Sequence, residues 1–364
     1  MELTSEQQHA VNLYKTCNFL VVDGGPGVGK TTTIKHLAGV RENVVIIAPT
    51  GAAADRISSA TGLEAFTFEK IAYTSDLIER FKHFNVITDE SSMIPMEDFV
   101  RLFHYLVPAS ICIVGDKDQL PNMSGTAILR TLVSMKDELA VVQLTINHRQ
   151  RVTNSGLIQM IQALKLGGAV VPIIDESLNI VLTSRDSDAI EACARQFLTL
   201  PNAQMLAYTN KAVDMLNDKT KYSTNQRVVC TRNLYDAGTL LIANACTGQL
   251  SDDGNVITYS NGYIDQKVRN KFASQHAAAR AMTVKKSQGN EFDVPGLVVM
   301  TTWNGAVPRE LSVTALSRFK EKVTIFCTRR CLEANLKSEF STSINEDVRD
   351  MITKIASKSK RRKI

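Results

Sequence analysis

A glycine-rich segment follows the first apolar run of the sequence. Phe19–Val22 are apolar, residues 24–31 then spell GGPGVGKT, and a helical pattern begins at Lys30. Glycines let backbone N–H groups approach phosphate oxygens, and the N-terminus of the next helix adds the positive end of its dipole. Lys30 is then placed to reach the β- and γ-phosphates, and the Thr31 hydroxyl to ligate Mg²⁺. A glycine-rich turn that matches by chance is the alternative, which the strand–loop–helix order disfavours.

An acidic pair follows another apolar run. Asp89 and Glu90 come directly after Val86–Thr88. In a parallel sheet this end of a strand faces the ligand crevice, on the same edge as the phosphate loop. Asp89 is predicted to hold Mg²⁺ and Glu90 to polarise an attacking water. The alternative is a surface pair that caps the next helix.

A third polar segment helps to distinguish between classes of nucleotide-hydrolysing enzyme. The phosphate loop and the acid pair would also suit a kinase, a GTPase or a transport ATPase. Residues 113–121, IVGDKDQLP, end a further apolar run and bring Gln119 to the same crevice. Its neutral amide can form hydrogen bonds to a γ-phosphate without competing for the metal. A solvated glutamine in a turn is the alternative.

These groups require a sheet to position them, and the apolar runs predict one. In the first half, short β-branched runs alternate with helical patterns, which favours a parallel, doubly wound sheet. The predicted strands are Phe19–Asp23, Val44–Ala48, Val86–Asp89, Ile111–Gly115 and Val141–Leu144. The predicted helices are Lys30–Ala38, Gly51–Ser59 and Glu97–Leu106.

The second half shows the same alternation of strands and helices, interrupted by a segment of different character. Its predicted helices are Ser155–Leu166, Asp188–Leu198 and Lys211–Asp218, and its strands are Gln204–Tyr208, Leu297–Thr301 and Val323–Cys327. Residues 221–280 instead show short strands with turns at Asp253-Gly254 and Asn261-Gly262. They are predicted to form a small β insertion in a second α/β domain.

The ordered segments resemble the superfamily 1 helicases, and among them the RecD/Dda-like 5′-to-3′ branch. The resemblance runs from about residue 3 to 328. It rests on LTSEQQHA, GGPGVGKTTT, APTGAAADRI, TGLEAFTFEK, DESSM, GDKDQLPNMSG, LTINHRQ, TVKKSQGNEFD and VTALSRFKEKVTIFCT, in that order. APTGAAA and GDKDQLP favour this branch over the other. A P-loop kinase would not explain Gln119, Arg318 and the SQG segment together.

The resemblance implies two RecA-like domains with an SH3-like insertion in the second. The implied bounds are 1–146 for the first domain, with a short wedge insertion near 70–85, then 147–220 with 281–335 for the second, 221–280 for the insertion and 336–364 for a C-terminal helix and basic tail. It also implies the site residues. Catalysis is assigned to Lys30, Glu90, Gln119, Arg149 and Arg318, and Mg²⁺ ligation to Thr31 and Asp89. ATP binding is assigned to Gln7, Gly25, Pro26, Gly27, Val28, Gly29, Lys30, Thr31, Thr32, Gly289 and Glu291, with Gln7 contacting adenine.

Nucleic acid is implied to lie across the tops of both domains. The implied contacts are Pro49, Thr50, Thr67, Phe68, Thr283, Lys285 and Ser287. Hydroxyls, backbone N–H groups and one lysine hold phosphates without sequence selection, and an aromatic such as Phe68 can stack on a base. A core position for Phe68 is the alternative. The sequence departs from the family at Lys285 and Glu69, where histidine is usual, and at Asn244-Ala245, where Asn-Gly is usual.

Composition and charge limit the possible partners, metal sites and location of the protein. The last twelve residues carry six Lys/Arg and no acid, so the net charge of +5 falls to −1 without them. This tail is typical of a nuclear-import signal, a phosphate-binding arm or a solvated end. Seven cysteines without a CxxC pair predict reduced thiols and no zinc site. Neither a signal sequence nor an apolar run of bilayer length is present, which predicts a soluble intracellular protein without a membrane partner.

The leading hypothesis is an ATP- and Mg²⁺-dependent 5′-to-3′ DNA helicase of replication, recombination or repair. It is expected to act on single-stranded DNA as a monomeric motor recruited by other proteins. A viral-type RNA helicase is one alternative. The other is a nucleic-acid-stimulated ATPase that translocates without efficient unwinding.

Overall fold

The computed structural model divides the chain into two compact units. Met1–Arg149 and Thr342–Ile364 form one unit, and Gln150–Ser341 form the other. The structure describes residues 2–121, 127–148, 155–166, 174–200, 202–221, 223, 226–232, 234–236, 239–242, 244, 246–259, 262–266, 275–301, 308–338, 349 and 353.

The first unit contains a parallel sheet of six strands. Its strands are β1 (Phe19–Gly24), β2 (Val44–Ala48), β3 (Ala65–Thr67), β4 (Asn85–Thr88), β5 (Ser110–Gly115) and β6 (Ala140–Leu144). Their order is β3-β2-β4-β5-β1-β6, so β5 separates the strand before the phosphate loop from the strand before the acid pair. Every residue of β1 and β5 is buried, which explains why both appear in the sequence as continuous apolar runs.

Helices cover both faces of this sheet. They are α1 (Ser5–Tyr14), α2 (Lys30–Ala38), α3 (Gly51–Thr61), α4 (Phe68–Ala72), α5 (Ser75–Phe81), α6 (Met96–Leu106) and α7 (Ile128–Ser134), with a 3₁₀ turn at Ser91–Met93. Two apolar clusters result, one on each face, and Val21 and Leu20 of β1 point into different ones. The alternation of side chains along a strand therefore places a core on both sides of the sheet.

The second unit contains a parallel sheet of five strands in the order β16-β8-β17-β18-β7. The strands are β7 (Leu178–Thr183), β8 (Gln204–Ala207), β16 (Ala281–Thr283), β17 (Gly296–Val299) and β18 (Val323–Thr328). The helices described with them are α8 (Gly156–Leu166), α9 (Asp186–Thr199), α10 (Asn210–Lys219), α11 (Arg309–Ser317) and α12 (Arg329–Lys337). Both sheets match the expected pair of RecA-like domains.

Between β8 and β16 the second unit carries small antiparallel strands. They are β9 (Arg227–Cys230), β10 (Leu234–Asp236), β11 (Thr239–Ile242), β12 (Thr247–Leu250), β13 (Ile257–Tyr259), β14 (Ile264–Asp265) and β15 (His276–Ala278). Five of them form a sheet in the order β14-β13-β12-β9-β15, and β10 pairs with β11. Gly254 and Gly262 have φ values of 70° and 84°, as turn glycines require. An SH3-like fold for this insertion stays a prediction.

The predicted helices and strands of both α/β regions are present with ends shifted by at most two residues. The sequence did not predict the helices α1, α7, α11 and α12, nor the strands β3, β16 and β7, of which β7 is an edge strand whose side chains are partly exposed. Most of the basic tail lies outside the described residues. Before the tail, Arg349 forms an ion pair with Glu138 of the same unit, with 2.8 Å between Nη2 and Oε1. Among the described residues, no helix has both the length and the apolar character needed to cross a membrane.

Gly115 ends β5 where the loop after β4 passes closest to the sheet. A Cβ at this position would lie 2.7 Å from Leu129 Cδ2 and 3.1 Å from the backbone nitrogen of Ser91. The absence of a side chain therefore lets the segment after the acid pair pack on the end of β5.

Gly115→Ala is expected to lower the free energy of unfolding by about 1–3 kcal/mol, because the added methyl overpacks a fixed backbone. Gly39→Ala is the matched control, since a Cβ there meets its nearest atom at 3.5 Å. Denaturant unfolding of both variants measures the difference. Equal stability of the two variants would contradict the close packing at Gly115.

Candidate active site

The phosphate loop joins β1 to α2 through left-handed glycines. Gly27 and Gly29 have φ values of 79° and 80°, a conformation that side chains disfavour. The Lys30 ammonium donates hydrogen bonds of 2.9 Å to the carbonyl oxygens of Gly24 and Gly25. The loop's own backbone therefore holds the lysine at the position where a nucleotide's phosphates are expected.

Gln7 attaches α1 to this loop. Its Nε2 donates to the carbonyl oxygen of Val28 at 3.1 Å, and its Oε1 accepts from the Thr4 N–H at 3.0 Å in a capping box. A Cβ on Gly29 would lie 2.4 Å from Gln7 Nε2. In this structure both ends of the Gln7 amide bind protein atoms, so contact with adenine stays a prediction.

The segment after β6 binds the loop from another direction. Asn147 Nδ2 donates to the Pro26 carbonyl oxygen at 3.1 Å, and the His148 N–H donates to the Gly27 carbonyl oxygen at 2.7 Å. Glu6 anchors the start of the same segment, because its carboxylate accepts hydrogen bonds from the N–H and the hydroxyl of Thr145. Although burial raises the pKa of Glu6, these hydrogen bonds lower it overall. Together with Gln7, these contacts fix three successive carbonyls of the loop.

The acid pair lies at the end of β4 and is buried. Asp89 is 2% exposed and Glu90 is 5% exposed, and Glu90 has a left-handed backbone with φ 49°. Such a backbone in a non-glycine residue is strained and clusters at functional sites. Arg56 of α3 contacts both carboxylates through Nη2, at 3.0 Å from Glu90 Oε1 and 3.4 Å from Asp89 Oδ2. Burial and the Glu90 charge raise the pKa of Asp89, and Arg56 and then Lys30 oppose this shift.

The segment after β5 is tied to β1 by a second buried carboxylate. Asp23, 4% exposed, accepts hydrogen bonds from the Lys117 backbone N–H at 3.0 Å and from Lys117 Nζ at 3.1 Å. Gln143 of β6 donates to the same carboxylate at 3.3 Å. Gln119 follows two residues later, is 4% exposed, and its Nε2 lies 3.5 Å from Asp116 Oδ2. Asp23 thus fixes the strand end that carries the predicted γ-phosphate contact.

The predicted nucleic-acid contacts of the first unit follow neighbouring strands. Thr50 follows β2 and caps α3, and Thr67 ends β3 and caps α4; both hydroxyls accept a backbone N–H hydrogen bond. Pro49 and Thr50 are partly exposed. Phe68 is 7% exposed and belongs to the apolar cluster beneath the sheet. The structure therefore favours the core alternative for Phe68.

In the second unit, Arg318 is 3% exposed and donates from Nη1 to the Asn290 carbonyl oxygen at 3.2 Å. It thereby connects the end of α11 to the segment of Gly289, which has φ 81°, and Glu291, which is exposed.

Of the predicted strand contacts in this unit, Lys285 is exposed. The Thr283 hydroxyl accepts from the Lys286 N–H at 3.1 Å. Ser287 is fully buried, and its hydroxyl donates to the Val284 carbonyl oxygen at 2.8 Å. Its side chain therefore supports the segment from inside. Arg149 lies outside the described residues.

Comparison with known proteins shows similarity to DNA helicases. A family profile described as an AAA domain matches residues 2–179. The chain is 25% identical to the RecBCD enzyme subunit RecD of Mycobacterium tuberculosis, over 88% of this chain and 68% of that one. It is 26% identical to the ATP-dependent RecD2 DNA helicase of Deinococcus radiodurans, over 88% of this chain and 48% of that one. These similarities support a RecD-like helicase of superfamily 1.

Solved structures support the fold. A structure that describes DNA unwinding at forked double-stranded DNA by two Pif1 helicases aligns with this chain. The TM-score is 0.61 and the identity 19%, over 98% of both chains. Bacteroides Pif1 bound to single-stranded DNA aligns with a TM-score of 0.57 and 18% identity, over 96% of both chains. The similarity to named helicases supports an ATP-hydrolysing enzyme.

Arg56 and Asp23 are among the side chains of the candidate site that were not predicted from the sequence. Arg56 lies in the quoted segment APTGAAADRI, and Asp23 ends the first apolar run. The sequence contains a signal for both residues. Asp23 stands directly before a phosphate loop and Arg56 lies in the helix after a strand, and a charged side chain that becomes buried at such a position needs a partner of opposite charge. Their partners Asp89 and Lys117 lie 33 and 94 positions away, which the sequence does not reveal.

Gln7→Ala is expected to weaken ATP binding about tenfold, because the loop loses a buried hydrogen bond of roughly 1–1.5 kcal/mol. Gln8→Ala is the matched control, since the exposed Gln8 side chain contacts only Asn12 among the hydrogen bonds described for it. Equilibrium binding of a fluorescent ATP analogue measures both. An unchanged affinity in Gln7→Ala would show that the contact with Val28 does not shape the loop.

Proposed function

We propose that this chain couples ATP hydrolysis at a Mg²⁺ ion to 5′-to-3′ movement along single-stranded DNA, and separates strands in DNA recombination or repair. The observation that carries the proposal is the convergence of Lys30, Glu90 and Gln119. They follow β1, β4 and β5, which are neighbours in one parallel sheet. The carboxyl edge of such a sheet is where nucleotides bind.

The residues present fit the metal. Thr31 and Asp89 offer a hydroxyl and a carboxylate, and Mg²⁺ is held by such oxygen ligands together with substrate phosphates. Asp89 is 2% exposed, so its negative charge requires a cation nearby. When bound, Mg²⁺ supplies positive charge to the β- and γ-phosphate oxygens. Thr31 and Asp89 would orient it.

The remaining steps belong to side chains of this chain. Lys30 binds the phosphates, Glu90 orients the attacking water and accepts its proton, and Gln119 donates to the γ-phosphate. Arg149 and Arg318 are proposed to stabilise the transition state, in which charge spreads over the equatorial oxygens. Because a transition-state contact acts only during hydrolysis, these arginines can connect turnover to movement.

Single-stranded DNA is proposed as the track. The RecD2 relative is named a DNA helicase, and Bacteroides Pif1 is described bound to single-stranded DNA. The Thr50 hydroxyl at the N-terminus of α3, the Thr67 hydroxyl and the exposed Lys285 offer phosphate contacts that do not depend on sequence. The chain is further proposed to act as a monomer recruited by other proteins.

Wild-type protein is expected to hydrolyse ATP faster with single-stranded DNA than with matched RNA or without either. Glu90→Gln is expected to keep ATP binding while turnover falls by roughly 10²-fold or more, because the base is lost and Asp89 is kept. Glu97→Gln, on the exposed face of α6, is the matched control. Steady-state ATPase and nucleotide-binding measurements decide between the outcomes. Equal stimulation by RNA would favour an RNA helicase, and wild-type turnover in Glu90→Gln would remove Glu90 as the base.

The turn between α4 and α5 generates a prediction about strand separation. These short helices occupy the region where a wedge insertion was expected, and Tyr73 between them is 84% exposed. An aromatic ring that stacks on the terminal base pair would contribute about 1–3 kcal/mol. Tyr73→Ala is therefore expected to reduce unwinding of a 5′-tailed duplex several-fold while single-strand-stimulated ATPase is retained.

The half-buried Tyr105 of α6 supplies the control variant Tyr105→Ala. Parallel unwinding and ATPase assays separate the possibilities. Equal loss in both assays, or no loss in either, would remove Tyr73 from the wedge role. Unwinding of 3′-tailed substrates alone would overturn the proposed direction.

A further inference from the structure

Helix α3 connects the proposed DNA track to the acid pair. Thr50 caps the N-terminus of this helix, with its hydroxyl accepting from the Ala53 N–H at 3.2 Å. Arg56 lies six residues later, about 9 Å along the helix axis at 1.5 Å per residue. Its Nη2 contacts Glu90 Oε1 at 3.0 Å and Asp89 Oδ2 at 3.4 Å. One helix therefore carries a predicted strand contact and a direct contact with both carboxylates.

The ion pair occupies the carboxylates that hydrolysis needs. The side chains of Asp89 and Glu90 are 2% and 7% exposed, whereas that of Arg56 is 26% exposed. The same arginine nitrogen lies against the predicted metal ligand and the predicted base. Lys30 donates instead to the Gly24 and Gly25 carbonyls. While Arg56 holds this position, its positive charge competes with Mg²⁺ and its N–H groups occupy the Glu90 oxygen that would accept a proton.

The buried face of α3 carries mainly small side chains. Ala52, Ala53, Ala54 and Ile57 are buried, and the helix ends at Gly62, which has φ 74°. Small side chains on the packed face let a helix shift slightly on its sheet without large steric barriers. A displacement imposed at Thr50 would be transmitted to Arg56, because the helix between them is continuous.

We propose that Arg56 is a positioning residue that holds Asp89 and Glu90 in a non-hydrolysing ion pair until a single strand bound at the N-terminus of α3 releases them. The inference rests on the proposed function and adds the contact through which DNA stimulates ATP hydrolysis. With the ion pair broken, Asp89 is available to the metal and Glu90 to the attacking water. Arg56 itself contacts neither the nucleotide nor the strand in this scheme.

The test compares Arg56→Gln, Arg56→Lys and the matched control Arg101→Gln, whose arginine forms an exposed ion pair with Asp98 on α6. Two quantities are measured for each, with and without an oligo(dT) strand. One is the ATP turnover number. The other is the Mg²⁺ concentration that half-saturates binding of a non-hydrolysable ATP analogue, which does not depend on hydrolysis.

Arg56→Gln is expected to raise strand-free turnover about fivefold or more, to reduce the stimulation by DNA by a similar factor, and to lower the strand-free Mg²⁺ midpoint about fivefold. A fivefold change lies at the lower end of the range in which binding at one site typically changes the affinity at another. Because Arg56 contacts both carboxylates through one nitrogen, Arg56→Lys keeps the charge and is expected to resemble the wild type. In the wild type, the strand itself is expected to lower the Mg²⁺ midpoint.

Lower turnover in Arg56→Gln with and without DNA, together with an unchanged Mg²⁺ midpoint, would overturn the proposal in favour of a purely structural arginine. An Arg56→Lys variant that behaves like Arg56→Gln would also overturn it. If Arg56→Gln does not fold, as shown by circular dichroism, the wild type decides: a Mg²⁺ midpoint unaffected by DNA overturns the coupling. A wild type without DNA-stimulated turnover would instead contradict the proposed function itself.

Discussion

Two carboxylates, Asp89 and Glu90, are buried side by side at the end of β4, and much of the first unit is arranged to tolerate them. Like charges that are nearly removed from water raise each other's free energy unless cations and hydrogen bonds compensate. Arg56 supplies the nearest positive charge, and Gly115 leaves room for the loop that carries the pair. The site therefore holds unfavourable electrostatics that a nucleotide-bound metal can relieve. In the proposed function, binding of Mg²⁺-ATP would relieve this repulsion at the residues proposed to hydrolyse it.

The rest of the site follows from the order of strands. The phosphate loop, the acid pair and Gln119 follow β1, β4 and β5. Because these strands are parallel neighbours, the sheet alone brings the three segments to one edge. Side-chain contacts then fix each segment: Gln7, Asn147 and His148 hold loop carbonyls, and Asp23 holds Lys117. Each contact joins segments distant in sequence, so the site forms only when the whole sheet is folded.

Particular residues show what a sequence can reveal. Buried parallel strands such as β1 and β5 are continuous apolar runs, so the sheet could be predicted. The spacing in GGPGVGKT and DESSM indicates where the phosphate loop and the acid pair follow that sheet, and their catalytic roles stay predictions. The edge strand β7 has no such run because its side chains are partly exposed. Arg56, Asp23 and the burial of Phe68 depend on which distant groups meet. Local spacing contains no information about those pairings, and for Phe68 a base-stacking ring and a core ring have the same sequence pattern.

The central claim is that the hydrolytic edge described above drives directed movement along a single strand. Displacement of streptavidin from oligonucleotides biotinylated at either end measures this without requiring a duplex. The account predicts ATP-dependent displacement from the 3′ end of single-stranded DNA, little displacement from the 5′ end, and none with Glu90→Gln. Displacement from the 5′ end alone would contradict the direction, and ATP hydrolysis stimulated by DNA without displacement from either end would contradict movement itself.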